Sequence, residues 1–321
     1  MTQAVRELVI GTRGSRLALW QAEWVQARVR ALEPGLAVSL KTITTTGDQI
    51  LDTPLATIGG KGLFVKEIEE ALLRGEIDLA VHSMKDVPTR LPEGLAILAI
   101  PERDDPRDAL ISRGGLTLAQ LPVGACIGTS SLRRQAQVLH VRPDLTIQML
   151  RGNLDTRLRK LDAAEYDAII LAAAGLRRLG WSDRVTEYLA PEVCLPAIGQ
   201  GALALEGRSD DVFVRELAGR LEHGPTRVAV TAERALLERL EGGCQTPIAA
   251  YATMTGESEA MNADAQLSLN AVVASVNGSR LIRDTIQGPV AEAQTLGVQL
   301  AERLLERGGA EILRDMYGTV P

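Results

Sequence analysis

The sequence predicts an α/β protein: two α/β units laid out on one plan, followed by a smaller α+β domain. Two passages match each other in order, apolar strands alternate with amphipathic stretches through both, and the last third of the chain changes to strands followed by a closing helix. The match has three parts. Ile10-Gly11-Thr12-Arg13-Gly14-Ser15 corresponds to Ile127-Gly128-Thr129-Ser130-Ser131-Leu132-Arg133, each ahead of a helical stretch. Leu36 to Leu40 after Pro34 corresponds to Leu145 to Met149 after Pro143, both with strand alternation. Glu76-Ile77-Asp78 leads into Leu79-Ala80-Val81 as Glu165-Tyr166-Asp167 leads into Ala168 to Leu171. Each unit then reads strand, helix, strand, helix, strand, a pattern that builds a parallel sheet with helices on its faces.

Along the chain, the first helix is expected over Arg16 to Leu32, where Leu17, Trp20, Trp24, Ala27 and Ala31 form one stripe. That spacing belongs to core packing rather than to an aromatic ligand box. Thr44 to Gly62 is glycine-rich and poor in apolar residues, and reads either as a mobile lid or as a plain exposed loop. Pro191 to Leu205, through Pro196-Ala197-Ile198-Gly199-Gln200-Gly201, reads as a hinge or a return strand. A third unit begins near Arg220, with a helix over Val228 to Leu240, strands near Ile248 to Met254, Ala265 to Ser275 and Leu281 to Ile286, and a helix from Val290 to Glu306.

Composition excludes several classes of function. The 321 residues carry a net charge of -6 with 24% charged residues, so there is no electrostatic footprint for nucleic acid and no basic block for a membrane surface. No apolar run is long enough for a membrane span and the first residues do not form a signal segment, so a cytoplasmic protein is expected. Cys126, Cys194 and Cys244 are too far apart for a disulfide framework or a close-set zinc motif, and with only His82, His140 and His223 no metal site is expected.

The candidate chemistry lies at strand ends, where open α/β sheets bind ligands. The turns after Ile10 and Ile127 open helices with free backbone N-H groups, so Ser15 and Ser131 either cap those helices or line anion-binding mouths. Arg13, Arg133 and Arg134 sit at the same mouths, and capping does not require them. His82-Ser83-Met84-Lys85-Asp86-Val87-Pro88 is the densest polar run, at the end of an apolar strand; Lys85 and Asp86 are either a surface ion pair or part of a site. Arg151 and Arg157 flank a helix start and Arg178 follows another strand, as a solvated face or as the wall of a shared cleft. Cys244 stands in Glu241-Gly242-Gly243-Cys244-Gln245-Thr246-Pro247, a bend with little steric cover, where a thiol is either a small apolar filler or an attachment point.

Together, Val81 to Pro88, Gly128 to Arg134, Arg151-Gly152-Asn153 and Glu241 to Cys244 resemble the porphobilinogen deaminase (hydroxymethylbilane synthase) family over nearly the whole chain. The resemblance implies a transferase that joins four porphobilinogen molecules head to tail with release of four ammonia, giving the linear tetrapyrrole hydroxymethylbilane for haem biosynthesis. It implies a dipyrromethane cofactor held by a thioether at Cys244 and serving as primer. Asp86 would be the catalytic carboxylate, stabilising the cation left when porphobilinogen loses ammonia and assisting proton transfer. Ser83, Lys85, Thr129, Ser130, Ser131, Arg133 and Arg134 would bind cofactor carboxylates. Arg13, Ser15, Arg151, Arg157 and Arg178 would bind substrate and chain, with Phe64 near the pyrrole rings. A six-ring chain carries about twelve carboxylates, a task for bidentate arginines.

The implied fold is two periplasmic-binding-protein-like α/β domains, 1–102 with 199–219 and 103–198, plus an α+β domain, 220–321, that carries the cofactor loop. A monomer is expected, with porphobilinogen as the partner and neither nucleic acid nor membrane. The chain departs from some members at Gly14 and Arg16, where they have Gln and Pro. Two other classes compete: a carboxylate-binding protein using the same cleft without chemistry, and a cysteine-nucleophile acyltransferase or hydrolase, for which no histidine context supplies a base.

Overall fold

The computed structural model describes residues 7–49, 65–242, 246–255 and 265–318. The Thr44 to Gly62 stretch lies largely outside these residues, as do Phe64 and Cys244. Within them, the strands assemble into three sheets. The first contains β1 (Glu7–Thr12), β2 (Ala37–Thr42), β3 (Leu79–Ser83), β4 (Leu95–Ala99) and β10 (Leu203–Arg208), in the order β2-β1-β3-β10-β4. The second contains β5 (Asp108–Ser112), β6 (Cys126–Gly128), β7 (Thr146–Gln148), β8 (Ala168–Ala172) and β9 (Glu187–Leu189), in the order β7-β6-β8-β5-β9. The third is an antiparallel meander of β11 (Ile248–Thr255), β12 (Gln266–Ala274) and β13 (Leu281–Pro289). This is the expected fold class, two α/β sheets and a smaller α+β domain.

The two larger sheets are mixed: the three strands of each expected unit are parallel, and two further strands join each sheet. β1 is parallel to β2 and β3, and β6 is parallel to β7 and β8, through the strand-helix-strand units that the sequence predicts. The fourth place is taken by an antiparallel strand: β10 in the first sheet and β5 in the second. The reason is connectivity. β5 arrives from β4 of the first sheet, and β10 returns from β9 of the second, so each sheet receives its antiparallel strand from a crossing rather than from a helix hairpin. The stretch Pro191 to Leu205 leads into the return strand β10, which begins only at Leu203.

The internal repeat has a physical cause. Asp78, just before β3, donates its N-H to Val9 O at 2.8 Å and accepts Val9 N on Oδ2 at 2.9 Å. Asp167, just before β8, does the same with Cys126 O at 2.9 Å and Cys126 N at 2.8 Å. The residue before each aspartate packs on the glycine of the facing strand. A Cβ at Gly11 would stand 2.3 Å from Ile77 Cδ1, and one at Gly128 would stand 2.8 Å from Tyr166 Cδ1. The paired Gly and apolar-Asp motifs therefore lock the first and third strands of each unit together.

Helices cover both faces of each large sheet. Val25 and Val29 of α1 (Arg16–Leu32) pack on Leu8, Ile10, Leu79 and Val81, while Ile68 and Leu72 of α2 (Lys66–Leu73) pack with Ile77 and Ala80 on the other face. The expected stripe of α1 is not the buried one: the buried residues are Ala18, Gln21, Ala22, Val25 and Val29, while Leu17, Trp20 and Trp24 are half-buried and Ala27 and Ala31 exposed. In the second sheet, α3 (Leu132–Val141) brings Val138 to one face and α4 (Leu154–Asp162) brings Leu158 and Leu161 to the other. The third core packs α7 (Gly224–Arg239) and α8 (Ala293–Leu304) on β11 and β12.

The chain separates into two compact units, one from Met1–Leu51, Gly60–Arg103 and Ala202–Arg227, the other from Asp52–Gly59, Asp104–Gly201 and Val228–Pro321. Inside the second unit, the meander packs Ala249, Val272 and Ala274 on Ala136 and Leu195. Glu233, fully buried on α7, accepts from Gly199 N at 2.7 Å and Ala252 N at 2.9 Å, and so ties the crossing segment to β11.

Gly128→Ala should lower unfolding stability by about 1–3 kcal/mol, because the new methyl overpacks against Tyr166 and Leu150. Gly35→Ala, with nothing within 4 Å, is the matched control. Equal urea midpoints for the two variants would refute the packing argument.

Candidate functional site

In the first unit, β1 and β3 are adjacent and parallel, so the Arg13–Ser15 turn and the Ser83–Asp86 segment leave the same edge of the sheet. Ser15 Oγ accepts from Ala18 N at 3.3 Å and caps α1. α1 has no acidic residue in its first turn, and Arg16 stands there instead. A helix N-terminus carries partial positive charge and normally favours a carboxylate. Basic residues there make sense when an anion comes from outside the chain.

Ser83 ends β3 and its Oγ accepts from Gln21 Nε2 of α1 at 3.0 Å, which joins the two turns. Lys85 and Asp86 follow in a single 3-10 turn, Met84–Asp86, both half-buried. The turn is fixed at both ends: Met84 N donates to Ala202 O at 3.0 Å and Val87 N to Met84 O at 3.1 Å.

In the second unit, Thr129, Ser130 and Ser131 follow β6, Arg151 follows β7, and Arg178 closes α5 (Ala173–Arg178) after β8. Parallel pairing of these strands puts the groups at one sheet edge. Ser131 Oγ accepts from Arg134 N at 3.4 Å and Thr129 Oγ1 from Ser131 N at 3.2 Å, while Ser130 Oγ donates to Leu150 O at 2.7 Å. α3 again has no acidic residue in its first turn and carries Arg133 and Arg134 there. Gly152, with φ at 109°, turns the chain between Arg151 and α4, and Arg157 Nε donates back to Gly152 O at 2.8 Å. The two predicted mouths therefore have the same design, and each serine does cap its helix.

Arg133 and Arg134 have a partner that the sequence reading did not identify. Asp108, fully buried at the start of β5, accepts from Arg133 Nη1 at 2.6 Å, from Arg134 Nη2 at 2.7 Å and from Gln200 Nε2 at 2.9 Å. Arg133 also donates to Leu195 O at 2.7 Å and Arg134 to Ile170 O at 2.9 Å. Burial alone would raise the Asp108 carboxyl, but the two guanidiniums hold it far below the usual carboxylate range. Cys194 Sγ lies 3.3 Å from Asp108 Oδ2, and burial together with that carboxylate pushes its thiol up to about 12. An acid opening the apolar run Asp108-Ala109-Leu110-Ile111 is the sequence signal that marks this site. Arg178 is half-buried, donates to Gly201 O at 2.6 Å, and is drawn below its ordinary value by loss of solvent around it, with Asp104 opposing.

Arginines and hydroxyls at helix N-termini, repeated in two α/β units, with Lys85 on the turn after β3, make the donor set of an α/β protein suited to anions. A family profile described as porphobilinogen deaminase, dipyromethane cofactor binding domain, matches residues 8–216, and one described as porphobilinogen deaminase, C-terminal domain, matches residues 228–306. Porphobilinogen deaminase of Geobacter metallireducens is 58% identical over 314 residues, covering 98% of this chain and 96% of its own. The Geobacter sulfurreducens enzyme is 59% identical with the same coverage, and that of Syntrophotalea carbinolica is 60% identical over 306 residues, covering 95% of each. The chain belongs to the porphobilinogen deaminase family, whose members are enzymes of tetrapyrrole biosynthesis that carry a dipyrromethane cofactor. Among solved structures, a Salmonella typhimurium periplasmic binding protein covers 67% of this chain and 91% of its own at 14% identity, with a TM-score of 0.40, too loose a likeness to argue from.

Asp108→Asn should cost about 3–5 kcal/mol near neutral pH, because two buried guanidiniums lose their counter-charge. A depressed carboxyl stabilises the fold above its unfolded value, and that contribution is lost as pH falls through the folded one. The gap between parent and variant should therefore narrow only in acid, below about pH 4. Chemical unfolding across pH checks both points; a neutral-pH difference within about 0.5 kcal/mol would contradict them.

Proposed function

We propose that this chain polymerises four porphobilinogen molecules into hydroxymethylbilane, with a dipyrromethane primer held as a thioether by Cys244 and with Asp86 as the catalytic carboxylate. The observation that carries this reading is the match of the cofactor-binding profile to residues 8–216, the stretch that contains both basic helix mouths. The donor set suits such a cofactor. The hydroxyls and N-termini at Thr129, Ser130 and Ser131, with Ser83, Lys85, Arg133 and Arg134, would hold its acetate and propionate groups. When bound, dipyrromethane supplies the pyrrole end to which new units are attached.

The chain's own residues do the remaining work. Arg13, Ser15, Arg151, Arg157 and Arg178 receive the carboxylates of substrate and growing chain, a task for which bidentate guanidinium geometry and backbone N-H groups are suited. Phe64 offers an aromatic face to the pyrrole rings. Asp86, on a turn fixed by backbone hydrogen bonds at both ends, meets the positive charge that develops as ammonia leaves and moves the proton. A cytoplasmic monomer completes the proposal, with porphobilinogen as its small-molecule partner and no metal, nucleic acid or membrane. Among the described residues, no helix is long and apolar enough to cross a membrane.

Intact mass of protein purified from cells that make porphobilinogen should exceed the chain mass by two deaminated porphobilinogen units, and the excess should vanish in Cys244→Ser. An unmodified parent that also forms no adduct with added porphobilinogen would favour the binding-protein reading. Asp86→Ala with its cofactor attached should release ammonia from porphobilinogen at least about 100-fold more slowly than the parent; near-normal turnover would remove Asp86 from its role.

A further inference from the structure

The face of the first sheet under α2 holds a set of buried ionisable groups that the proposed reaction leaves unused. His82 on β3, Glu206 on β10 and Glu69 on α2 are 5%, 0% and 7% exposed. β3 and β10 pair with His82 opposite Ala204 and Ala80 opposite Glu206, so His82 and Glu206 are diagonal neighbours on one face. His82 Nε2 lies 2.9 Å from Glu206 Oε2, close enough for charge pairing but out of line for a hydrogen bond. Among the described residues, neither oxygen of Glu206 nor Glu69 Oε1 accepts a hydrogen bond. Ile68, Ala71, Leu72 and Ala80 fill the surroundings. Burial, and then the charge of Glu206, push the Glu69 carboxyl up to about 7, with His82 partly offsetting them. Two carboxylates and an imidazole in an apolar layer are costly, and an apolar contact would close the layer more cheaply.

What these groups touch suggests why they are there. The β3–β10 ladder runs through Ser83 opposite Leu203, and Met84 N then donates to Ala202 O at 3.0 Å, the last ladder contact before the turn bearing Lys85 and Asp86. The place of that turn follows from how β3 sits on β10. His82 and Glu206 meet across this pair of strands, 2.9 Å apart, beneath α2, whose Ile68, Ala71 and Leu72 pack with Ala80 and whose Glu69 is buried. We propose that His82 is a positioning residue for the transferase reaction, seated against Glu206 beneath α2 so that the end of β3 presents Lys85 and Asp86 in their reactive arrangement.

This inference rests on the assignment of Asp86 made above. It also has a pH signature. Deprotonation of Glu69 adds a negative charge near Glu206, and repulsion between the two carboxylates works against the packing of α2 on this face. The other charged groups on the same face are engaged elsewhere. Arg208 on β10 bonds Leu72 O and Ile77 O and pairs with Asp78 at 2.9 Å and Asp211 at 3.2 Å, and Glu67 on α2 accepts from Thr46 N at 2.9 Å. Glu70 on α2 pairs with Arg74 at the surface.

The test compares holoenzymes, with cofactor content read by intact mass and folding by thermal melting, in kcat and KM for porphobilinogen from about pH 6 to pH 9. His82→Gln and Glu206→Gln are expected to lower kcat about 10- to 100-fold, as a small misplacement of a reacting group does, with KM changed by less than about threefold. The parent is expected to lose kcat above about pH 7, and in Glu69→Gln that decline should move up by about one pH unit or more. Unchanged kcat in both His82→Gln and Glu206→Gln, or an alkaline decline in Glu69→Gln that coincides with the parent's, overturns the proposal. Should the first two variants fail to fold, the Glu69→Gln profile decides alone. Asp86→Asn runs beside them: near-parental turnover in that variant would sink the assignment of Asp86 itself, whatever the cluster variants do.

Discussion

Asp108 is a single carboxylate, shut away from solvent, on which the second unit converges. It sits on β5, the strand that enters from the first sheet; it accepts from two arginines in the first turn of α3 and from Gln200 in the segment that leaves again. Arrival, repeat and departure are thereby fastened at one point. The charge count there matters as much as the geometry. Two guanidiniums face one carboxylate, so the pairing that holds the fold leaves about one unit of positive charge near a helix N-terminus that is itself positive. The contact that stabilises the fold is thus also the source of local positive charge.

The first unit solves the same problem with different parts. Its mouth has the capping serine, the Gly-Thr turn and the basic first turn, but the turn bearing Lys85 and Asp86 is steadied from beneath, by the β3–β10 ladder and by the ionisable groups packed under α2. Duplication supplied the frame, through the Asp78 and Asp167 contacts, and the frame left each unit free to acquire its own polar core. Both cores pin a strand that arrives from the other half of the chain, where no helix hairpin holds the register.

Much of this was legible in the sequence because short-range patterns carry it. The Ile-Gly-Thr turns, the Glu-x-Asp leads into β3 and β8 and the alternation of β11 to β13 each state their structure locally, and the strand ends with their Ser, Arg and Lys residues follow from them. The sheet class was only half legible. Strand-helix-strand patterning reports parallel neighbours, whereas the antiparallel β5 and β10 are placed by partners far along the chain. The same limit hid Asp108, Glu206 and Glu69, whose roles exist only through residues tens of positions away. His82 stood in the most conspicuous run of the sequence without a role, because its partner lies on the return strand. Cys244 stood out in its glycine-rich bend and Phe64 only through the family resemblance, and both lie outside the described residues.

The exchange of antiparallel strands also orders events as the chain is made. β5 to β9 end at Leu189, so the second sheet has all its strands early, from one continuous stretch. The first sheet does not. β4 has β10 as its sheet neighbour, and β10 begins at Leu203, so β1, β2 and β3 emerge from the ribosome with an open edge and wait for the whole inserted sheet to follow. The first sheet is therefore finished second, and the turn bearing Asp86 takes its final place only after the strands of the second sheet have been made.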